Sequence, residues 1–245
     1  MDRLLYVAMS GAKQVMLAQA ANSHNLANIS TSGFRADLSQ FRSQPVFGAG
    51  YPTRVYAMTE RPGVDFQPGI NEATGRDLDI AIKGQGWIAV QDRSGNEAYT
   101  RDGSLKITTN GLLQTSQGNL VLGNTGPIAI PPAAKIEIAQ DGTISIQPKG
   151  SGSETLAVLD RIKLVNPPQS SMQKGPDGLL RTGAGIQPPS AAVQVEKGTL
   201  EHSNVSAVGA LVRMIEFSRQ YEMNIKMMKA TGDMEQQNAR MLTLG

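Results

Sequence analysis

The chain has 245 residues, 23 Lys+Arg against 21 Asp+Glu, a formal net charge of +2 and no cysteine. That length holds one large or two modest domains. Scattered basic residues and few aromatics exclude the charged, base-stacking footprint of a nucleic-acid binder, and the missing thiols exclude disulfides, thiol catalysis and cysteine metal sites. No apolar run approaches about eighteen residues, so no membrane-spanning helix and no direct membrane insertion are expected. The run Leu4–Met9 is too short for the apolar part of a secretory signal, and Met1-Asp2-Arg3 is not markedly positive.

Residues 3–28 read as a helix with Asp2 as a plausible N-cap. Leu4, Leu5, Ala8, Ala12, Val15 and Met16 form its apolar stripe, and alanines and Gly11 are dense enough for close helix approach. The pattern runs out at Asn25-Leu26-Ala27-Asn28 and the following Ser-Thr-Ser-Gly run, residue types that favour caps and turns. Residues 36–75, punctuated by Pro45, Pro52, Pro62 and Pro68 and by several glycines, read as an extended arm or linker.

From residue 76 to 198 short apolar alternations follow one another. They are separated by Ser94-Gly95, Asp102-Gly103, Asn110-Gly111, Gly118-Asn119 and Asp141-Gly142, the punctuation of an antiparallel all-β domain. Asp79, alternating with apolar neighbours, is expected to face solvent from a strand, and Lys149–Ser153 reads as a loop tip.

The region 199–245 holds a long helix over 206–242. Leu211, Met214, Tyr221, Ile225, Met228, Ala239 and Leu242, with Ser218, Gly232 and Glu235 between them, step by threes and fours as a coiled-coil seam does. Such a helix is about 55 Å long and cannot bury its stripe on itself. Val208, Val212, Ile215, Phe217, Met223 and Met227 lie off the seam, so apolar surface wraps most of the circumference, as in a helix covered on several sides. The fold class expected is α+β: N- and C-terminal helices (1–35 and 199–245) paired as a coiled-coil domain, joined by the 36–75 arm to a central antiparallel β-domain (76–198).

Residues capable of chemistry do not assemble into a site. His24 and His202 have no second ligand at metal-binding spacing. Gly84-Gln85-Gly86 lacks the rest of a dinucleotide loop, and Gly150-Ser151-Gly152 belongs to a Gly/Ser-rich stretch. No catalytic, cofactor or metal residue is expected.

Four stretches together resemble bacterial flagellar axial proteins, the rod and hook subunits. They are Asn25–Asn28 with Ser30–Arg35, Leu78–Trp87, Tyr99–Ser104 with Asn110-Gly111, and Gly198–Val205 with the helix after it. The match runs in order over nearly the whole chain. The opening Met1–Ala12 is most similar to the proximal rod type, ahead of distal rod and hook. The resemblance implies a structural subunit of the periplasm-crossing rod that transmits torque, exported by the flagellar type III apparatus without a cleaved signal. Its partners would be copies of itself and other rod subunits. Leu4, Leu5, Val15, Met16, Asn25, Leu26, Asn28, Leu211, Met214, Tyr221, Ile225, Met228 and Leu242 are then the expected assembly residues. A carbohydrate-binding or adhesin-like β-domain on a helical stalk is the competing reading; it requires an aromatic-lined groove, whereas the one Trp, five Tyr and five Phe are scattered.

Overall fold

A computed structural model describes residues 4–45, 55–148 and 156–243. Asp2, the Lys149–Ser153 stretch and the side chains of Ala239 and Leu242 lie outside the described residues. Two units form, the first from residues 1–27, 37–63 and 205–245 and the second from 28–36 and 64–204.

The first unit is built on helices α1 (Leu4–Ala27) and α2 (Ala207–Thr243). Ser206 starts α2 as its residue composition predicts: its hydroxyl accepts from Gly209 N–H at 3.3 Å and its carbonyl from Ala210 N–H at 2.9 Å. The two helices run antiparallel, because Asn22 donates to the Ala210 carbonyl at 2.7 Å while Gly11 lies against Asn224. Small side chains make the close approach possible. Ala8, Ala12, Val15, Ala18 and Ala21 are buried on α1, with Ala210 and Phe217 on α2. Val15, Ala18, Phe217 and half-buried Tyr221 form the apolar contact at the centre. A two-stranded ribbon, β1 (Asp37–Pro45) and β2 (Val55–Val64), belongs to this unit. Phe41 sets its ring edge-on to Phe217, 6.2 Å between centroids.

The α2 seam differs from the expected one in a specific way. Its inward residues are Ala210, Met214, Phe217, Tyr221, Asn224, Met228 and Thr231, whereas Leu211 and Ile225 are 50% and 41% exposed. Met214, Tyr221 and Met228 belong to both patterns. The alternate positions are displaced by one residue, from 211, 218 and 225 to 210, 217 and 224. The reason is the partner: an alanine-rich α1 leaves room for the large Phe217 ring and closes tightly on Ala210.

The second unit is antiparallel β, as the turn punctuation indicates. Its central sheet has eight strands, with β5 (Trp87–Gln91) hydrogen-bonded to β6 (Glu97–Thr100) on one side. The order continues outward through Leu180–Thr182 and Met172–Lys174 on that side, and through Leu120–Val121, Leu113–Thr115 and Leu105–Ile107 on the other, while the eighth strand, Leu164–Val165, pairs with β5 off this path. A second sheet, Ala133–Ile138, Thr143–Pro148 and Ala157–Arg161, packs Ile138, Ile144 and Ile146 into the same core as Ile88, Val90, Leu105 and Leu113.

Two short pairings close the unit. β4 (Ile80–Lys83) pairs with Gln194–Lys197, and β3 (Asn71–Ala73) pairs with Thr199–Glu201. The stretch 199–201, grouped with the C-terminal helix in the sequence reading, is therefore strand, and α2 begins only at Ala207. Asp79 also departs from expectation. It is buried, with Thr74 Oγ1 donating to it at 2.7 Å and Arg76 Nη2 3.1 Å away. Alternation misled here because β4 is covered on both faces: Ile80, Ala81 and Ile82 are all buried.

Candidate assembly surface and the residues that anchor it

The Asn-rich end of α1 works as a backbone clamp. Asn25 is buried; its amide donates to the Asp37 carbonyl at 2.9 Å, and its Oδ1 accepts from Asp37 N–H at 2.8 Å. This two-way bond satisfies the first backbone groups of β1 and ties the ribbon to the end of the helix. His24 Nδ1 lies 2.9 Å from the Asp37 carboxylate, so one side chain and one backbone position are held together by successive residues. Asn28 does a related task in the second unit, where its Oδ1 accepts from Thr31 Oγ1 at 3.2 Å. Leu26 is half-buried beside this clamp.

The expected interface residues divide by exposure. Val15 is buried within the chain against Phe217; Leu4, Leu5, Met214, Tyr221 and Met228 are half-buried. Met16, Leu211 and Ile225 point outward. The outward surface is wider than the sequence reading assigned: Tyr6, Met9 and Leu17 on α1 are also exposed, as are Val208, Val212, Ile215, Met223, Met227, Met234 and Met241 on α2. Large apolar side chains are therefore exposed on both helices of the pair. The helical spacing of Tyr6, Met9 and Met16 was a usable signal for it.

A buried charged node anchors the second unit. Glu201, from the strand after Gly198, places Oε1 at 2.6 Å from Arg35 Nη2 and Oε2 at 2.9 Å from Arg101 Nη1. All three residues are buried. Glu201 Oε1 also accepts Gly69 N–H at 3.0 Å, Arg35 Nη1 donates to the Gln67 carbonyl at 2.7 Å, and Arg101 Nη2 donates to the Gly84 carbonyl at 2.6 Å. The two guanidinium groups lie 5.7 and 5.1 Å from the Trp87 ring, whose edge meets Phe66. Burial pulls the Arg35 pKa below its ordinary value, and the Glu201 charge opposes that shift. Gly33 is obligatory beside this node: its φ is +66°, and a Cβ there would lie 2.2 Å from the Arg101 carbonyl carbon.

Among the described residues no His, Asp and Glu group is placed to hold a metal ion. His202, just past the strand Thr199–Glu201, places Nε2 2.5 Å from Oε2 of Glu72 on β3, an exposed pair within the second unit. Each histidine therefore has a carboxylate partner, in an arrangement that ties neighbouring segments together.

The three parts of the node fall in three family models. Residues 5–35 match "Flagella basal body rod protein", residues 81–146 match "Flagellar hook protein FlgE/F/G D1 domain", and residues 196–241 match "Flagellar basal body rod FlgEFG protein C-terminal". Arg35, Arg101 and Glu201 contribute one residue from each. The flagellar basal-body rod protein FlgF of Escherichia coli strain K12 is 42% identical over 240 residues, covering 95% of each chain. The chain belongs to the FlgF-type flagellar basal-body rod proteins. The FlgF of Salmonella typhimurium strain LT2 is 39% identical over 251 residues and 100% of both chains. The rod protein FlgG of Borreliella burgdorferi is 32% identical over 264 residues and 96% of each. Membership gives the node its meaning: the signatures at the two ends and in the middle of a rod-family chain meet as one ion-paired cluster. Among the described residues no helix of this family member is long and apolar enough to cross a membrane.

Proposed function

We propose that this chain is a structural subunit of the flagellar basal-body rod, of the proximal rod type, that assembles through the outward faces of its terminal helices. The observation that carries the reading is the two-sided character of the helix pair. One seam is filled within the chain by Val15, Ala18, Phe217 and Tyr221. On the sides turned away from that seam, Met9, Met16 and Leu17 of α1 and Leu211, Ile215 and Ile225 of α2 are left in water. Burying such a side chain against a neighbour contributes about 1.5–3 kcal/mol, so several together overcome the cost of ordering a subunit.

Neighbours supplying that cover are copies of the chain and other rod subunits. Contacts between unlike faces propagate a helical tube rather than a closed ring. Leu4, Leu5, Met214, Tyr221 and Met228 would add to the contact at its edges, while Asn25, Leu26 and Asn28 hold the segments that present it. Torque then passes through many packed helices in the periplasm, with no catalytic step. Delivery by the flagellar type III export apparatus fits a chain without cysteine.

The test is a charge placed on the outer face only. Met16→Glu and Ile225→Glu should leave the circular dichroism of the isolated chain unchanged and abolish swimming, with the subunit missing from purified basal bodies. Normal swimming and normal incorporation of the double variant would defeat the proposal.

A further inference from the structure

We infer that residues 65–70 form a strap, latched beside Trp87 mainly by side chains, that opens as one piece while the central sheet stays folded. The inference concerns the second unit by itself and stands whether or not the rod reading holds. The segment joins Val64, the last residue of β2, to Asn71, the first of β3, and none of it is strand. Pro68 has no N–H to give to a ladder. Gly69 passes so close to its neighbour that a Cβ there would lie 2.0 Å from the His202 carbonyl oxygen.

The backbone groups of the strap are met from outside it. Asn204 donates to the Asp65 and Gln67 carbonyls at 3.0 and 3.1 Å, and its Oδ1 accepts Ala36 N–H at 2.8 Å. Arg35 Nη1 donates to the same Gln67 carbonyl at 2.7 Å. Glu201 Oε1 accepts Gly69 N–H at 3.0 Å and lies 2.6 Å from Arg35 Nη2. One backbone bond holds each end: Asp65 N–H donates to the Ala36 carbonyl and His202 N–H to the Ile70 carbonyl, both at 2.9 Å. Successive latches share atoms. The Gln67 carbonyl joins Asn204 to Arg35, and Glu201 Oε1 joins Arg35 to Gly69. Releasing one latch therefore weakens the next, and the group lets go together.

Apolar anchorage is slight by comparison. Phe66 supplies the contact with the cluster around Trp87, half-buried and edge-on at 6.0 Å between centroids, whereas Ile70 is 80% exposed. In the sheet, Ile88, Ala89 and Val90 are fully buried. A segment with few buried apolar contacts opens well below the free energy of global unfolding. Opening bares the Phe66-facing edge of Trp87 to water. The chain enters the second unit at Val64, so a pull along it from that side meets these latches before it reaches β3.

Amide exchange of the full-length chain in low urea, read residue by residue, tests the inference. Asp65 and Gly69 N–H should share one opening equilibrium that responds weakly to urea, because little surface is exposed. Ala89 N–H, bonded to the Lys163 carbonyl, should exchange far more slowly and respond steeply. Asn204→Ala should speed exchange at Asp65 and at Gly69 by the same factor, about tenfold, although Gly69 N–H has no bond to Asn204. Gly69→Ala leaves every latching side chain in place and should likewise raise strap exchange. In both variants acrylamide should quench Trp87 fluorescence more readily than in the parent. Exchange of Asp65 and Gly69 only with the steep urea response of Ala89 would overturn the inference, as would a rise at Asp65 that leaves Gly69 unchanged.

Discussion

Glu201 shows what one residue can decide. Two arginines are buried beside it, and each depends on its carboxylate. Removing the charge as Glu201→Gln leaves both guanidinium groups without their counter-ion, a change that costs about 3–5 kcal/mol in comparable buried pairs. Urea denaturation of the full chain, followed by Trp87 fluorescence, should show the midpoint fall accordingly. Trp87 reports this directly because both guanidinium groups lie over its ring. The reading of Asp79 fails at this same scale. Charge and alternation point it to solvent, yet its neighbours on β4 are buried on both faces, and Thr74 and Arg76 neutralise it locally. Partners distant in sequence are invisible to a periodicity argument, and Arg35, Arg101 and Glu201 are separated by most of the chain.

A second prediction at this scale concerns pH. Arg181 holds Asp92 below the ordinary carboxylate range, chiefly through its hydrogen bond, and does the same for Asp177. Arg181 Nη2 lies 2.7 Å from Asp92 Oδ2 and 2.6 Å from Asp177 Oδ2. A carboxylate with a depressed native pKa stabilises the fold above its unfolded value, about 3.9, and loses that contribution as pH falls through the native value. The stability difference between the parent and Arg181→Ala should therefore be full at pH 6 and shrink below about pH 4. Urea titrations of both chains at the two pH values measure it.

At the scale of elements, the helices were readable and their facing was not. α1 and α2 end within a residue or so of the expected limits, because caps and turn residues mark the ends sharply. The seam of α2 is displaced by one position at Ala210, Phe217 and Asn224. Phe217 could be read only as off-seam, since Leu211 and Ile225 carry an equally good heptad. A helix apolar nearly all round offers two adjacent seams, and only the partner's small residues choose between them. Phe217→Ala should then cost about 3 kcal/mol, the ordinary loss for a buried ring, because Val15, Ala18 and Phe41 all pack on it. Leu211→Ala, half in water, should cost well under 1 kcal/mol in the isolated chain. Thermal melts of the two variants compare them. The clamp at Asn25 belongs to this scale too. Asn25→Ala removes a two-way bond to Asp37 and should cost about 1–3 kcal/mol while detaching β1 from the end of α1. Amide exchange at Asp37 N–H is the readout.

For the whole molecule, the terminal helices that frame the chain leave an unsatisfied apolar face, and the account rests on that face being covered by other rod subunits. The β unit asks for no such cover at its centre, where Ile80, Ile88, Leu105, Leu113 and Ile144 are fully buried within one chain. The most direct measurement places a photo-crosslinking amino acid at Met16 or Ile225, and separately at exposed Val158 of the β unit, in cells that build flagella. Illumination followed by isolation of basal bodies should yield strong adducts from Met16 and Ile225 to a second copy of the chain or to another rod subunit. Helix positions that give no adduct while the labelled subunit is present in the basal body would contradict the account.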